Sequence, residues 1–255
     1  LSKKFFVLYN TCKQQLSNQR HYDWGLRNIL SVLRTAGGVK RENLDKNEAF
    51  LLYRTLRDMN LSKLVAQDVP LFLSVLTDLF PGIPPPPKGE YPEVEAAFRK
   101  YVEEDGFIYH PDWVAKAIQL YETTRVRWGI MLVGPSGGGK SIIFDKLMLT
   151  LMEVTKQKYV MRRLNPKSIR PQEMYGEIEP SSGEWVTGVF AAMWSKFNNR
   201  NDKRNTWMVC DGPVDAIWIE DLNTVLDDNK MLTLPNSERI KLSTRMSMIF
   251  EVEDL

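Results

Sequence analysis

Apolar residues recur at three- and four-residue intervals through the first third of the chain, and beyond it they gather into short continuous runs. The segments FFVLYNTCKQQL, WGLRNILSVLRTAGG, AFLLYRTLRDMNLSKL and PLFLSVLTDLF each place apolar side chains on one face of a helical repeat. Residues 1–80 are therefore expected to be helical throughout, the second helix stopping at Gly37-Gly38. In PGIPPPPKGEYP, residues 81–92, clustered proline fixes φ and removes amide donors, so this stretch reads as a stiff linker between two domains. VEAAFRKYVEE and WVAKAIQLYETTRV are again amphipathic. WGIMLV, KYVMRRL, TWMVC and MSMIFEV then follow as short β-rich runs separated by helical stretches. That alternation predicts an α/β domain with a parallel sheet over residues 93–255. Two further stretches, MYGEIEPSSGEWVTGV and MLTLPNSERIKL, alternate around Pro-Ser-Ser-Gly and Pro-Asn-Ser-Glu and predict hairpins. No internal repeat accompanies them.

Composition narrows the function. With 255 residues, 43% of them hydrophobic, the chain can bury one large core or two smaller ones. Its 34 basic and 32 acidic residues leave a net charge of +2, which gives no electrostatic reason to expect nucleic acid or an anionic membrane as partner. The basic pairs Arg162-Arg163 and Lys203-Arg204 read as solvated faces. Cys12 and Cys210 lie far apart, the second inside an apolar run, which argues against a disulfide framework and for a reducing compartment. His21 and His110 stand near no other ligand at metal-binding spacing. The sequence shows no signal-like or membrane-length apolar run, and because it begins at Leu1 it is expected to be a piece of something longer.

The candidate chemistry lies in GPSGGGKS, the run Gly134, Pro135, Ser136, Gly137, Gly138, Gly139, Lys140 and Ser141, which fits G-x-x-x-x-G-K-[ST]. An apolar strand pattern leads in and the helical pattern IIFDKLMLTLM leads out. Small residues let backbone N–H groups turn toward phosphate oxygens at the positive end of a helix. Lys140 supplies charge for the β and γ phosphates, and Ser141 offers a hydroxyl to magnesium. The apolar run TWMVC ends in Asp211, the expected magnesium partner through water. A hydrolase would need a group beside it to orient or deprotonate water. The next residue is Gly212, which has no side chain for the task, and the nearest later acids are Asp215 and Glu220. The site is expected to bind ATP or ADP with magnesium and to have no catalytic residue of its own.

HYDWGLR near the start, LNPKSI at Leu164 to Ile169, EMYGE at Glu173 to Glu177 and DGPVDAIWIEDLNTVLDDNK at Asp211 to Lys230 resemble the motor region of dynein heavy chains. The resemblance covers essentially the whole chain. It implies an all-α AAA+ small (lid) domain of one module over residues 1–80 and a P-loop AAA+ large domain of the next over residues 93–255. These would be parts of a six-module ring that walks on microtubules. Its implied partners are the other modules and the linker of the same heavy chain, with microtubules reached only through the full motor. The implied location is cytoplasmic and cytoskeletal, and GPSGGGKS with DLFPGIPPPP leans toward a ciliary or flagellar axoneme. In that family the second module binds ATP without hydrolysing it, in agreement with Gly212. By the same resemblance Arg27, in WGLR, would reach the nucleotide of the preceding module, and the two hairpins would touch the moving linker. An acid at Glu253 or Asp254 would stand where active modules carry Asn and would repel a triphosphate. The chain would end before the strand carrying an arginine finger and before the second module's own lid.

Other classes share the glycine loop. A P-loop kinase would need an acceptor pocket and a mobile lid, which no run after Ser141 suggests. An active AAA+ remodelling ATPase should carry an acid at position 212. A structural spacer would leave the loop empty.

Overall fold

The computed structural model describes residues 1–85, 91–199, 201, 203–226 and 229–254. They fall into two compact units, Leu1–Tyr91 and Pro92–Leu255. Part of the proline-rich stretch, residues 86–90, and Asp227 and Asp228 of the run DGPVDAIWIEDLNTVLDDNK lie outside the described residues.

The first unit contains helices α1 (Ser2–Gln15), α2 (Leu26–Glu42), α3 (Glu48–Leu61) and α4 (Val69–Leu79). Phe5, Leu8, Tyr9 and Cys12 recur on one face of α1 and join Val32 of α2, Leu52, Leu56 and Met59 of α3, and Phe72 and Leu76 of α4 in one core. The α2 helix does not stop at Gly37-Gly38 but runs on to Glu42. Neither glycine has the positive φ that ends a helix, and the stop comes at Asn43. Its N–H donates to Lys40 O and its side-chain amide to Val39 O. Helix α3 starts where Asn47 accepts a hydrogen bond from Ala49 N at 2.7 Å.

Polar side chains tie the helix connections to this core. Asn28 and Asn60 are buried and share hydrogen bonds with the Tyr9 hydroxyl. The carboxylate of Asp68, just ahead of α4, accepts from the Ser17 hydroxyl at 2.5 Å and the Tyr22 hydroxyl at 2.7 Å. Tyr22 in turn accepts from Val65 N. The α1–α2 connection is thereby held to the α3–α4 connection.

The second unit begins with α5 (Pro92–Glu104) and α6 (Pro111–Val126), which pack on α7 (Lys140–Thr155). Its sheet contains β1 (Gly129–Val133), β2 (Tyr159–Leu164), β5 (Asn205–Asp211) and β8 (Met246–Val252), all parallel, in the order β1-β8-β5-β2. Between β2 and β5 come α8 (Pro171–Tyr175), the hairpin β3 (Gly176–Ile178) with β4 (Trp185–Thr187), and α9 (Val189–Phe197). Between β5 and β8 come α10 (Ala216–Ile219), α11 (Asn223–Leu226) and the hairpin β6 (Met231–Thr233) with β7 (Arg239–Lys241). Both predicted hairpins form. Gly183 at φ +71° and Ser237 at φ +67° turn them.

Strands β5 and β8 are buried on both faces, which is why TWMVC and MSMIFEV read as continuous apolar runs rather than alternating ones. Met208, Cys210, Met248 and Phe250 share a core with Phe190, Trp194 and Phe197 of α9. Trp207, Val209 and Ile249, one residue out of phase, are buried on the opposite face. Both cysteines are free and buried, and burial pushes each thiol up to about 12, so both stay protonated.

Asp68 supplies a pH-dependent test of the first unit. Hydrogen bonds from Ser17, foremost, and from Tyr22 hold its carboxyl below the usual carboxylate range against the opposing effect of burial. A depressed folded-state pKa contributes stability above the unfolded value, near 3.9, and loses it as pH falls through the folded value. Asp68→Asn should therefore unfold at lower denaturant than the parent chain at pH 7. The gap should close as pH is lowered below about 4. A gap constant with pH would show that the carboxylate charge is not what these hydroxyls hold.

Candidate nucleotide site

The glycine loop follows β1 and runs directly into α7, whose first-turn amides have no intrahelical acceptors. Gly137 at φ +81° and Gly139 at φ +80° shape the turn. A Cβ on Gly139 would stand 2.6 Å from the Trp113 indole nitrogen, so the indole lies flush with the backbone there. Lys140 folds back over the loop, its ammonium donating to Gly134 O at 2.6 Å and Pro135 O at 2.9 Å.

The end of β8 aligns the two halves of the site. Gly134 N–H donates to Val252 O at 3.2 Å, and Gly212 N–H donates to Glu251 O at 3.1 Å. The entry to the glycine loop and the residue after Asp211 thus hang on consecutive carbonyls of one strand. Asp211 lies opposite Glu251 in the β5–β8 register. The structure brings together Gly134, Pro135, Ser136, Gly137, Gly138, Gly139, Lys140, Ser141 and Asp211 at the carboxyl ends of β1 and β5, the two parallel strands that flank β8, where open α/β sheets bind ligands. Arg27 lies in the other unit, exposed on the first turn of α2.

Backbone amides at a helix start, one ammonium, one hydroxyl and a strand-end carboxylate form a donor set suited to a magnesium polyphosphate. Among the described residues no cluster of three or more His, Cys, Asp or Glu could hold a metal ion by itself. A cation here would depend on phosphate oxygens and water for the rest of its shell.

The family described as the hydrolytic ATP binding site of dynein motor region matches residues 1–141, more than half of the chain. The chain belongs to the dynein motor-region family. The AAA domain of the dynein-related subfamily matches residues 129–255. The fold of this dynein motor-region chain is accordingly an AAA+ small helical domain followed by a large α/β domain with a parallel sheet. It is 57% identical, over its whole length, to the dynein gamma chain of the flagellar outer arm of Chlamydomonas reinhardtii. It is 49% identical to dynein axonemal heavy chain 5 of Mus musculus and 47% to dynein axonemal heavy chain 8 of Homo sapiens, again over all 255 residues. It spans 6% of the length of each of these relatives.

Two residues of the site escaped the sequence reading. Glu251 is a buried acid inside β8, and its Oε1 accepts the Ser141 hydroxyl at 2.6 Å. The signal was an acid interrupting the apolar run MSMIFEV. Arg163 is not part of a merely solvated face. It donates to Glu251 Oε2 and Asp145 Oδ1, both at 3.2 Å, and to Ser141 O at 3.1 Å. Glu253 and Asp254 lie past the end of β8 and are exposed, so the acid turned toward the glycine loop is Glu251. Asp215 is exposed and its Oδ1 accepts from Ile217 N at 3.0 Å, the position of a cap on α10.

Gly212 is constrained by its backbone as well as lacking a side chain. It sits at φ +156°, which residues with a Cβ rarely adopt, and a Cβ would stand 3.0 Å from Asn165 Oδ1. That oxygen already accepts from Lys167 N and caps a short turn after β2. Gly212→Ala should lower the unfolding free energy by about 1–3 kcal/mol, the range for a strained backbone position. Equal melting of variant and parent would show that the strand end relaxes freely.

Proposed function

We propose that the chain is part of the motor ring of an axonemal dynein, and that its glycine loop holds Mg-ATP, or ADP, with negligible turnover. The observation that carries this reading is Gly212 directly after the strand-end acid. Residues 1–80 would close one module as its lid, 81–92 would link the modules, and 93–255 would form most of the next module's large domain. The relatives are named as a chain of the flagellar outer arm and as an axonemal heavy chain. That supports a cytoskeletal location in cilia or flagella and action on microtubules through the whole motor.

Within the site, Lys140 would swing from its loop carbonyls to the β and γ phosphates. Ser141 and, through water, Asp211 would hold magnesium, which when bound neutralises phosphate charge. Position 212 offers no base, and Asp215, capping α10, faces a different task. The family description speaks of a hydrolytic site, but its match ends at Ser141, before Asp211 and Gly212, and so does not bear on the missing acid. Arg27 would serve the nucleotide of the preceding module. A groove of about 410 Å³ lined by Tyr175, Glu177, Ile178, Trp185 and Pro235 draws on both hairpins and would suit their proposed contact with the linker.

At about 100 times its dissociation constant, Mg-ATP should stabilise the chain by about 2.7 kcal/mol. Lys140→Ala should lose most of that gain in a thermal-shift titration. Single-turnover decay of bound ATP should run far below ordinary ATPase rates, on the order of 1 per second. Phosphate release at such a rate would show that another acid does the work denied to position 212.

Arg27→Ala, placed in a heavy chain carrying this segment, should slow the preceding module by on the order of 10²-fold while nucleotide at Lys140 is retained. An unchanged rate would leave Arg27 as a surface residue.

A further inference from the structure

Ser141 is clamped at both of its polar ends. Its hydroxyl donates to Glu251 Oε1 at 2.6 Å, its carbonyl accepts from Arg163 Nη2 at 3.1 Å, and Arg163 Nη1 closes the ring on Glu251 Oε2 at 3.2 Å. The same Nη2 also donates to Asp145 Oδ1 at 3.2 Å. Glu251 is buried and stands near the end of β8 opposite Asp211, so it belongs to an inner strand of the sheet rather than to a loop.

A serine hydroxyl has one proton and two lone pairs. With the proton committed to Glu251, both lone pairs remain for a cation, and the rotamer is fixed before any ligand arrives. From this closed ring we propose that Glu251 is a positioning residue. It holds the Ser141 hydroxyl in the metal-binding orientation, with Arg163 fixing the carboxyl through its other oxygen, Oε2. This rests on the reading of the loop as a nucleotide site. A carboxylate that orients a first-coordination ligand resembles in its physics the outer partners of metal-bound histidines, whose loss costs about 10–100-fold in metal affinity.

A second consequence is electrostatic. Asp211 and Glu251 both stand at strand ends beside the loop, and Arg163 is shared between Glu251 and Asp145. Nucleotide without magnesium would meet this acidic side with only Lys140 and the loop amides to offset it. Binding should therefore depend steeply on the cation, and Glu251 should set much of that dependence.

The test measures ATP affinity of the parent chain, Glu251→Gln, Ser141→Ala and the double variant by calorimetry, once in magnesium and once in EDTA. The readout is the ratio of the two dissociation constants. Glu251→Gln should shrink the magnesium gain by about 10–100-fold without weakening binding in EDTA. A merely structural role would weaken both alike. Ser141→Ala, which leaves the Glu251–Arg163 pair in place, should shrink the gain similarly, and the double variant should add little. An unchanged ratio in either single variant overturns the proposal, as does full additivity in the double. ATP turnover in the parent that disappears in Glu251→Gln also overturns it, by making Glu251 a base. A parent chain that binds no ATP in magnesium removes the proposed nucleotide site and this inference with it.

Discussion

Two backbone hydrogen bonds at the end of β8, from Gly134 N–H to Val252 O and from Gly212 N–H to Glu251 O, fix where every candidate phosphate contact can stand. The first launches the glycine loop and the start of α7. The second sets the exit of β5 just after Asp211. Both depend on β8 lying between β1 and β5, and that order in turn depends on strands apolar enough to be buried on both faces. Slipping β8 by one residue would turn Met248 and Phe250 away from α9 and carry Glu251 away from Ser141. The core and the site therefore share one register.

The same strand explains why the site has a closed electrostatic circuit before any ligand binds. A buried carboxylate is costly unless paired and hydrogen-bonded, and Glu251 has both kinds of partner in Arg163 and Ser141. Lys140 meanwhile rests on the carbonyls of its own loop. Lys140, Arg163 and Glu251 thus each have an internal partner. On the proposed reading, an incoming nucleotide would exchange the carbonyl contacts of Lys140 for phosphate, while the Ser141 ring would stay closed, because a hydroxyl can accept a cation on its lone pairs without surrendering its proton.

Much of this was legible in the sequence because it is local. GPSGGGKS between a strand pattern and a helix pattern, the acid ending TWMVC and the turns at Gly183 and Ser237 are each set by neighbours along the chain. What escaped was nonlocal or depended on context. The glycine pair in α2 read as a stop, yet the stop signal that acts is Asn43, which satisfies the last carbonyls through its own amide groups. Arg163 looked like half of a solvated basic pair because nothing nearby in sequence reveals Asp145 on α7 and Glu251 on β8. Glu251 was hidden in an apolar run, and its partners Ser141 and Arg163 are 110 and 88 residues away.

Gly212 joins the sequence and structural arguments. Chemistry alone says that a residue without a side chain cannot act as a base. The backbone adds that the turn leaving β5 is built for that residue, since its φ and the nearness of Asn165 Oδ1 both disfavour a Cβ. Restoring an acid would thus require the turn to Asn165 and the 3-10 turn it caps to be rebuilt, not a single exchange of side chains. A hydroxyl held by a buried carboxylate, next to a turn that excludes a base, supports the proposal that the loop holds a nucleotide rather than cleaves it. The energy of binding would then go into stiffening the junction of β1, β8, β5 and α7. The hairpins leave the chain on either side of β5, so that strand is the route by which a retained nucleotide would act on them.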